Sequence, residues 1–535
     1  MLVVILLLLS IPAAAAIICL RVPAAAAGAV TAVSGIGCFG LVIALIPAAS
    51  QHYLSYLSYL RIDAISVVFL LATGFLYASV AVYSIGYLGH SHGDPGFARY
   101  SRRFYAGLNL FAGSMLAAPM MNSLALLWIA IEVTTVISAL LVAIENTDGA
   151  AEAAWKYILI ASAGLSLALL ATIFAYYAGA QVLGESYNLS FGPLLHAGAR
   201  LPHAPVRLAF ALAVLGFGTK MGLFPVHTWL PDAHSEAPTP VSALLSGSLL
   251  AVSFYAIVRY YQVASAALGP RFPRDVLLVF GVATLALAAL YLLDQRDVKR
   301  LLAYSSMEHM GILAIGLSFG APIALAGVLL HVLAHAAAKG NAFMGAGVMV
   351  HKFGSKNISA LAGGLDLLPW SGPLFLIAVL ALSAMPPFGI FRSEFEIVRG
   401  GFASSGDSAA AVLIVAVTLA FLGLSIATNR MLFTPRAAAE PVAGTGAGAG
   451  GGQLRPAQPQ VPGIRPAGPT LTAAPALSPG RALTPGPALT RGEPSVWMVI
   501  PVVVGVAALL MLGVHPPAEL TGLLSRAVHQ LSGGA

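Results

Sequence analysis

Glu132, Lys220, Lys339 and Glu394 are ionisable side chains set deep inside apolar runs. Glu132 lies in "LLWIAIEVTTVISALL", and Lys220 in "GFGTKMGLFPVHTWLPDAHSEAP", five residues before Pro225. Lys339 sits in "LLHVLAHAAAKGNAFMGAG", and Glu394 follows the double proline of "SAMPPFGIFRSEFEI". A charge at the centre of a bilayer costs about 2.5–3.5 kcal/mol on insertion scales, so such groups face the protein interior, pair with one another and mark ion paths. Lysine suits proton transfer because its hold on a proton responds to burial and to a carboxylate moving near or away. His331, His335 and Lys339 are spaced by four and share one helix face, which makes a file of proton carriers. Two histidines at this spacing could also hold a metal, but no third ligand of the right type lies nearby in sequence. The alternative for the four charges is a set of static buried pairs that fix helix packing, and for the histidines a packing role. His227, Asp232, His234 and Glu236, and likewise Glu308 and His309 in "AYSSMEHMG", either line a way in for protons or cap and turn the chain. Arg392 would neutralise Glu394 or Glu396, and the first of these favours a static pair.

The surroundings are a membrane. Of 535 residues, 59% are hydrophobic and 9% charged, against roughly 25% charged in a soluble domain. Apolar runs of about 20 residues, enough to cross roughly 30 Å of hydrocarbon, recur about fourteen times. They are expected at 1–20, 23–48, 62–88, 104–121, 123–143, 153–178, 206–224, 241–262, 276–293, 301–319, 322–350, 372–400, 409–433 and 496–513. The opening "MLVVILLLLSIPAAAA" mimics a signal peptide but has no basic residue before its apolar core, so it reads as the first span. The net charge of +7 comes from loops between spans and implies no nucleic acid. Most of the Lys and Arg residues fall on one side, which places that side in the cytoplasm and both termini outside. Cys19 and Cys38 fall in spans, and there is no CxxC, no P-loop and no GxGxxG opening a helix after a strand. The chain is therefore expected to hold no metal, cofactor or redox centre of its own.

Residues 435–495, with "GTGAGAGGGQ" and "RPAQPQVPGIRPAGPTL", have the composition of a flexible cytoplasmic linker. The prolines interrupt the seventh and twelfth spans, five apart, and proline breaks a helix. This suggests two five-helix units, each broken at its fourth helix and, because five is odd, inverted. The expected divisions are 1–103 (helices 1–3), 104–262 (first unit), 276–433 (second unit), the 435–495 linker, and 496–535 (last span and short tail).

The stretches "GFGTKMGLFPVHTWLPDAHSEAPTPVSALLSG", "DQRDVKRLLAYSSMEHMGILAIG" and "RIDAISVVFLLATGFLYASVAVYSIGYL" resemble the proton-pumping antiporter-like subunits shared by respiratory complex I, Mrp-type sodium/proton antiporters and membrane-bound group 4 hydrogenases. The resemblance runs from about residue 60 to 433. "EAAWKYILIASAG", "AYSSMEHMG" and "MPPFGIFRSEF" are most similar to component F of hydrogenase-4, a relative of formate hydrogenlyase. This implies an all-α integral membrane protein of about fourteen transmembrane helices in two inverted five-helix repeats. It also implies a Glu132–Lys220 pair, Lys339 as the central lysine and Glu394 as the terminal carboxylate. The implied role is a non-catalytic, proton-translocating subunit of a redox-driven complex in the cell's inner membrane. Its partners would be other antiporter-like subunits and hydrophilic hydrogenase-like and iron–sulfur subunits, which carry the Ni–Fe and iron–sulfur centres. Many complex I members have a lysine in the eighth span, where this chain offers Ala251, so the relay from Lys220 lacks a step that water or His331 and His335 would bridge. Two other roles stay open: an Mrp-like sodium/proton antiporter subunit, for which no Asp/Asn cluster is evident, and a structural subunit.

Overall fold

The computed structural model describes residues 1–56, 58–89, 95–404, 406–435 and 490–533. It is helical almost throughout. The helices are α1 (Leu2–Arg21), α2 (Ala24–Ile43), α3 (Ile46–Gln51), α4 (Ala64–Tyr87), α5 (Pro95–Ala117), α6 (Leu124–Val142) and α7 (Asp148–Leu183). They continue as α8 (Phe191–Ala197), α9 (His203–Met221), α10 (Trp229–Glu236), α11 (Thr239–Leu244), α12 (Leu250–Leu268), α13 (Arg271–Leu292) and α14 (Val298–Phe319). The last are α15 (Pro322–Phe353), α16 (Gly364–Leu367), α17 (Ser371–Leu382), α18 (Gly389–Ala403), α19 (Asp407–Leu432), α20 (Val496–Val514) and α21 (Ala518–Leu531). A small antiparallel hairpin, β1 (Leu54–Tyr56) and β2 (Leu60–Ile62), precedes α4 and pairs Leu54 with Ile62.

Among the described residues, 11 helices are long and apolar enough to cross a membrane. The other three expected spans fall on α5, which starts nine residues before the anticipated 104 and carries Arg99, Arg102 and Arg103, on the more polar α14, and on α17 with α18, which are separate helices. The eighth span is not a plain helix, because a π-turn at Leu245–Leu249 joins α11 to α12. Most of the anticipated 435–495 linker lies outside the described residues.

Local chemistry sets the ends. Asp63 caps α4 by accepting from the Ser66 amide (3.0 Å), and Ser123 caps α6 through the Leu126 amide (3.2 Å). Helix α9 stops at Gly222, whose φ of +85° is a left-handed cap, and Pro225 follows before α10 begins. Pro386 and Pro387 lie likewise between α17 and α18. The helices meet through small residues, as membrane helices do. A Cβ on Gly216 of α9 would come within 2.5 Å of the Ala168 amide of α7, and one on Gly400 of α18 within 2.7 Å of the Ala324 amide of α15.

Burial separates two kinds of helix. The windows along α11–α12 and α15 are 100% and 89% buried, against 33–39% for α1, α2, α7, α13, α19 and α20. The outer helices show large apolar side chains such as Val3, Val33, Leu159 and Val415. The polar groups buried along α11, α12 and α15 are therefore screened from lipid by the rest of the bundle.

One such pairing ties the first helices to the rest. Arg259 of α12, 2% exposed, donates to Asp63 (2.7 Å) and to Ser66 Oγ (3.2 Å). Burial works against the charge of Asp63, but the Arg259 and Arg61 guanidiniums overcome it and hold the carboxyl well below the usual carboxylate range.

Candidate functional site

The polar residues gather in two buried clusters. The first lies between α6, α7 and α9. Lys220 near the end of α9 is 0% exposed and donates a 2.5 Å hydrogen bond to the Tyr157 hydroxyl of α7, with its ammonium 4.8 Å from that ring's centre. Tyr157 also meets Ser138 Oγ of α6 at 2.7 Å, and its ring packs 4.5 Å from that of Trp229 on α10. Glu132 is half-buried on α6, and its Oε2 has no hydrogen-bond partner. No ion pair within 4.0 Å joins Glu132 to Lys220, so the implied pair is not one of direct contact. Tyr157, the residue after the exposed Lys156 on α7, the longest helix among the described residues, takes the hydrogen bond instead.

The second cluster lies between α14, α15 and α18. His331, His335 and Lys339 are each 0% exposed. His309 of α14 reaches across to them, with its Nδ1 3.2 Å from His331 Nε2 and its ring 5.2 Å from that of His335. Ser393 Oγ donates to the Ile390 carbonyl (2.8 Å), so it accepts from His331 Nδ1 (2.9 Å). Glu394 comes 3.8 Å from His309 Nδ1. Arg392 pairs with Glu396 (3.1 Å) and not with Glu394, whose Oε1 keeps no partner in the protein. Glu308, 2% exposed, has only a long 3.5 Å contact from Ser305, and its field reaches Lys339.

Between the clusters lie α10 and the π-turn. His234 of α10 is buried with neither ring nitrogen hydrogen-bonded, and it stacks 5.3 Å from Phe343 of α15, one turn beyond Lys339. The π-turn aims Ser246 at Ser306 Oγ of α14 (2.6 Å). Ser306 donates to the Leu302 carbonyl (2.8 Å), which also accepts from Lys339 Nζ (3.2 Å). Ser248 of the same turn meets Thr73 of α4 (2.7 Å). Ala251 is 2% exposed, and these serines lie at the point where it offers no charge. A π-turn inside a helix is a frequent mark of a functional position.

Asp232 has a different place. It binds Lys156 of α7 (3.2 Å) and Arg300 of α14, fastening α10 at the rim. Glu236 pairs with Lys356 (2.6 Å), while Asp297, the cap of α14, accepts from Ser235 (2.8 Å). His227 is 6% exposed with Nδ1 unpartnered, beside the break after α9.

A family model described as NADH:quinone oxidoreductase/Mrp antiporter, transmembrane, matches residues 121–423, which contain both clusters. The chain belongs to this family. A model described as NADH-ubiquinone oxidoreductase (complex I), chain 5 N-terminus, matches residues 54–101. The chain is 36% identical over 366 residues to a hydrogenase-4 component F homolog of Methylacidiphilum infernorum, covering 68% of this chain and 76% of that one. It is 30% identical to hydrogenase-4 component B of Escherichia coli over 66% of this chain but about half (52%) of that relative's length. In fold it is similar to a chain of the membrane-bound sulfane sulfur reductase, an archaeal respiratory membrane complex, with a TM-score of 0.78, 18% identity and coverage of 98% and 97%. It is thus an antiporter-like, multi-pass membrane subunit of the kind shared by complex I, group 4 hydrogenases and Mrp, whose relatives work inside multisubunit membrane complexes.

Sequence reasoning did not find four parts of this antiporter-like subunit's interior: Tyr157, Ser138, Ser393 and the serines of the π-turn. "EAAWKYILIASAG" contains Tyr157 beside Lys156, but nothing local says which of the two turns inward. A helical wheel does, since Tyr157 shares a face with Ala153, Ala154, Ala161 and Gly164, all small and buried.

Proposed function

We propose that this chain is the proton-translocating membrane subunit of a redox-driven complex of the hydrogenase-4 kind. Protons pass from Lys220 by way of His234 to Lys339, and then through His335, His309 and His331 to Glu394. The observation that carries this reading is the row of fully buried polar atoms with no protein hydrogen-bond partner: both nitrogens of His234 and His335, His309 Nε2 and Glu394 Oε1. Buried polar groups are nearly always satisfied, and groups left open in a polar interior hold ordered water. Water between them supplies the hops that no direct contact makes.

Lys220 is the switchable carrier. Its ammonium is held by the Tyr157 hydroxyl and ring, with Glu132 as the carboxylate within electrostatic reach. A displacement of Lys220 toward α10 releases its proton to the His234 side, and the Ser246–Ser306–Leu302 chain supports Lys339 where a lysine at 251 would otherwise stand. Glu394, at the head of α18 just after the Pro386–Pro387 break, gives the proton up. Asp232 we assign to fastening α10, and His227 to the proton's way in. The same reading takes α5, α14 and α17–α18 as the crossings that complete fourteen, with both termini outside. In each five-helix unit the third helix lies close against the broken fourth, α7 on α9 and α15 on α18, which supports the repeat. Electron transfer in Ni–Fe and iron–sulfur partner subunits drives the movement.

The test is Lys220→Ala in the assembled complex. The variant inserts and assembles but loses coupled proton movement, and unchanged pumping would overturn the proposal. Co-purified hydrogenase-like subunits support the hydrogenase branch, while recovery with small antiporter subunits alone favours sodium/proton exchange.

A further inference from the structure

We propose that His309, His331 and Glu394 form a binding site for a divalent transition-metal ion of the Zn2+ class, buried between α14, α15 and α18. The donor atoms of these three residues lie within 4.8 Å of one another. Two of the separations are 3.2 Å (His309 Nδ1 to His331 Nε2) and 3.8 Å (His309 Nδ1 to Glu394 Oε1). A tetrahedral zinc ion bonded at roughly 2.0–2.1 Å sets its donors about 3.3–3.5 Å apart. The cluster thus stands within a few tenths of an ångström of two edges of that tetrahedron.

The orientation of the donors favours a metal as well. Ser393 Oγ donates to the Ile390 carbonyl and therefore accepts from His331 Nδ1–H, which leaves the Nε2 lone pair directed at His309. A metal-ligating histidine commonly has its second ring nitrogen tied in this way. A simple His309–His331 hydrogen bond accounts for one of the two edges but leaves Glu394 Oε1, on a residue 6% exposed, with no donor. His335, with both nitrogens unpartnered, has its ring 5.2 Å from that of His309. Three protein ligands and an open place make a familiar zinc arrangement. The donor set of two imidazoles and one carboxylate leaves a bound dication with one positive charge; buried Glu308 lies within electrostatic reach of Glu394, and buried Lys339 within reach of both histidines, so a bound ion favours neutral Lys339.

A path in exists. A cavity of about 310 Å³ between α15, α18 and α21 is lined by Leu330, Arg392 and Glu396. Leu330 adjoins His331 and Arg392 adjoins Ser393 in the chain, and Glu396, paired with Arg392, lies two residues beyond Glu394. Once bound, the ion occupies the lone pairs that carry protons in the proposed pathway and so blocks it. That blocking rests on the proton-carrying reading, whereas the binding does not.

The experiment uses the full chain, purified in detergent, with Co2+ as a spectroscopic probe and Zn2+ as its competitor. The expected result is one tightly held Co2+ per chain with the visible bands of a tetrahedral nitrogen/oxygen site, displaced by one Zn2+. Glu394→Gln, which keeps the side chain's shape, abolishes these bands while the protein melts as a single folded species. Ser393→Ala weakens the affinity about 10- to 100-fold. Absence of the bands in the wild type, or their persistence in Glu394→Gln, would overturn the site. In membrane vesicles, Zn2+ lowers proton flux in the wild type at concentrations that leave Ser393→Ala unaffected. Binding without any effect on flux would keep the site and remove the block. Absence of proton flux in zinc-free vesicles would instead overturn the proposed function and leave the binding result standing.

Discussion

Removing one hydroxyl from Tyr157 is the sharpest test of how Lys220 is held. Lys220 is fully buried, and Tyr157 is its one hydrogen-bond partner among the described residues. A hydrogen bond to a charged group contributes about 1.5–3 kcal/mol. At 1.36 kcal/mol per factor of ten, losing it depletes the proton-loaded state by roughly 10- to 150-fold. Tyr157→Phe keeps the ring at its 4.8 Å distance from the ammonium and its packing on Trp229, so the fold and the cation–π contact persist. Only the hydroxyl bridge from Lys220 to Ser138 is lost. The assay is proton flux in inverted membrane vesicles containing the assembled complex, followed with a pH-sensitive dye and normalised to inserted protein. Flux is expected to fall at least about tenfold, by the same arithmetic. Tyr157→Leu, which also removes a cation–π contribution of about 0.5–2 kcal/mol, is expected to fall further. Flux within about twofold of wild type in Tyr157→Phe, a difference of only about 0.4 kcal/mol, would refute the assignment of Tyr157 as the holder of the loaded lysine.

His234→Phe keeps a flat ring against Phe343 but removes both nitrogens, so stability should change little while flux drops. Unaltered flux would send the route elsewhere, through the π-turn serines. Asp63→Asn leaves the buried Arg259 uncompensated, and such a loss costs about 3–5 kcal/mol. The expected result is a sharp fall in folded protein recovered from membranes, and a normal melting profile would contradict it. Because the folded Asp63 carboxyl titrates below its unfolded value of about 3.9, its contribution is fully present at neutral pH. It is lost only as pH falls below that value toward the folded one.

What could be read from the chain was whatever a short window contains. A lone lysine in an apolar run, a proline that cannot continue a helix, and three residues spaced by four each declare a position without reference to a distant partner. The two breaks, after Met221 and after Leu382, were legible for that reason. Partners were harder. His309 and His331 are 22 positions apart on different helices, and their 3.2 Å approach depends on how α14 and α15 pack. The resemblance implied that Glu132 pairs with Lys220, but the hydrogen bond of that lysine goes to a neutral tyrosine, because a hydroxyl can approach a buried ammonium with little desolvation cost of its own. No third candidate ligand lies near His331 and His335 in sequence, because His309 and Glu394 arrive from two other helices. The π-turn was illegible because serine, glycine and leucine in "LSGSL" suit a regular helix equally well.

That turn makes the register of the eighth crossing a matter of residue count. Five residues, Leu245–Leu249, carry the chain from α11 into α12 with wider hydrogen-bonded rings than a regular helix has. Such a turn takes up one residue more than a regular helix, so deleting one of them and closing the regular helix would leave Tyr255 and Arg259 on Ser66 and Asp63, whereas a deletion within α12 ahead of them would swing them by about 100°. Within the turn a one-codon deletion is a local event that disturbs Ser246 and Ser248, but in the regular part of the crossing it is a rotation of half a helix. Any lost residue in this crossing among descendants of the chain should therefore fall within the turn, and the rest should vary through exchanged side chains.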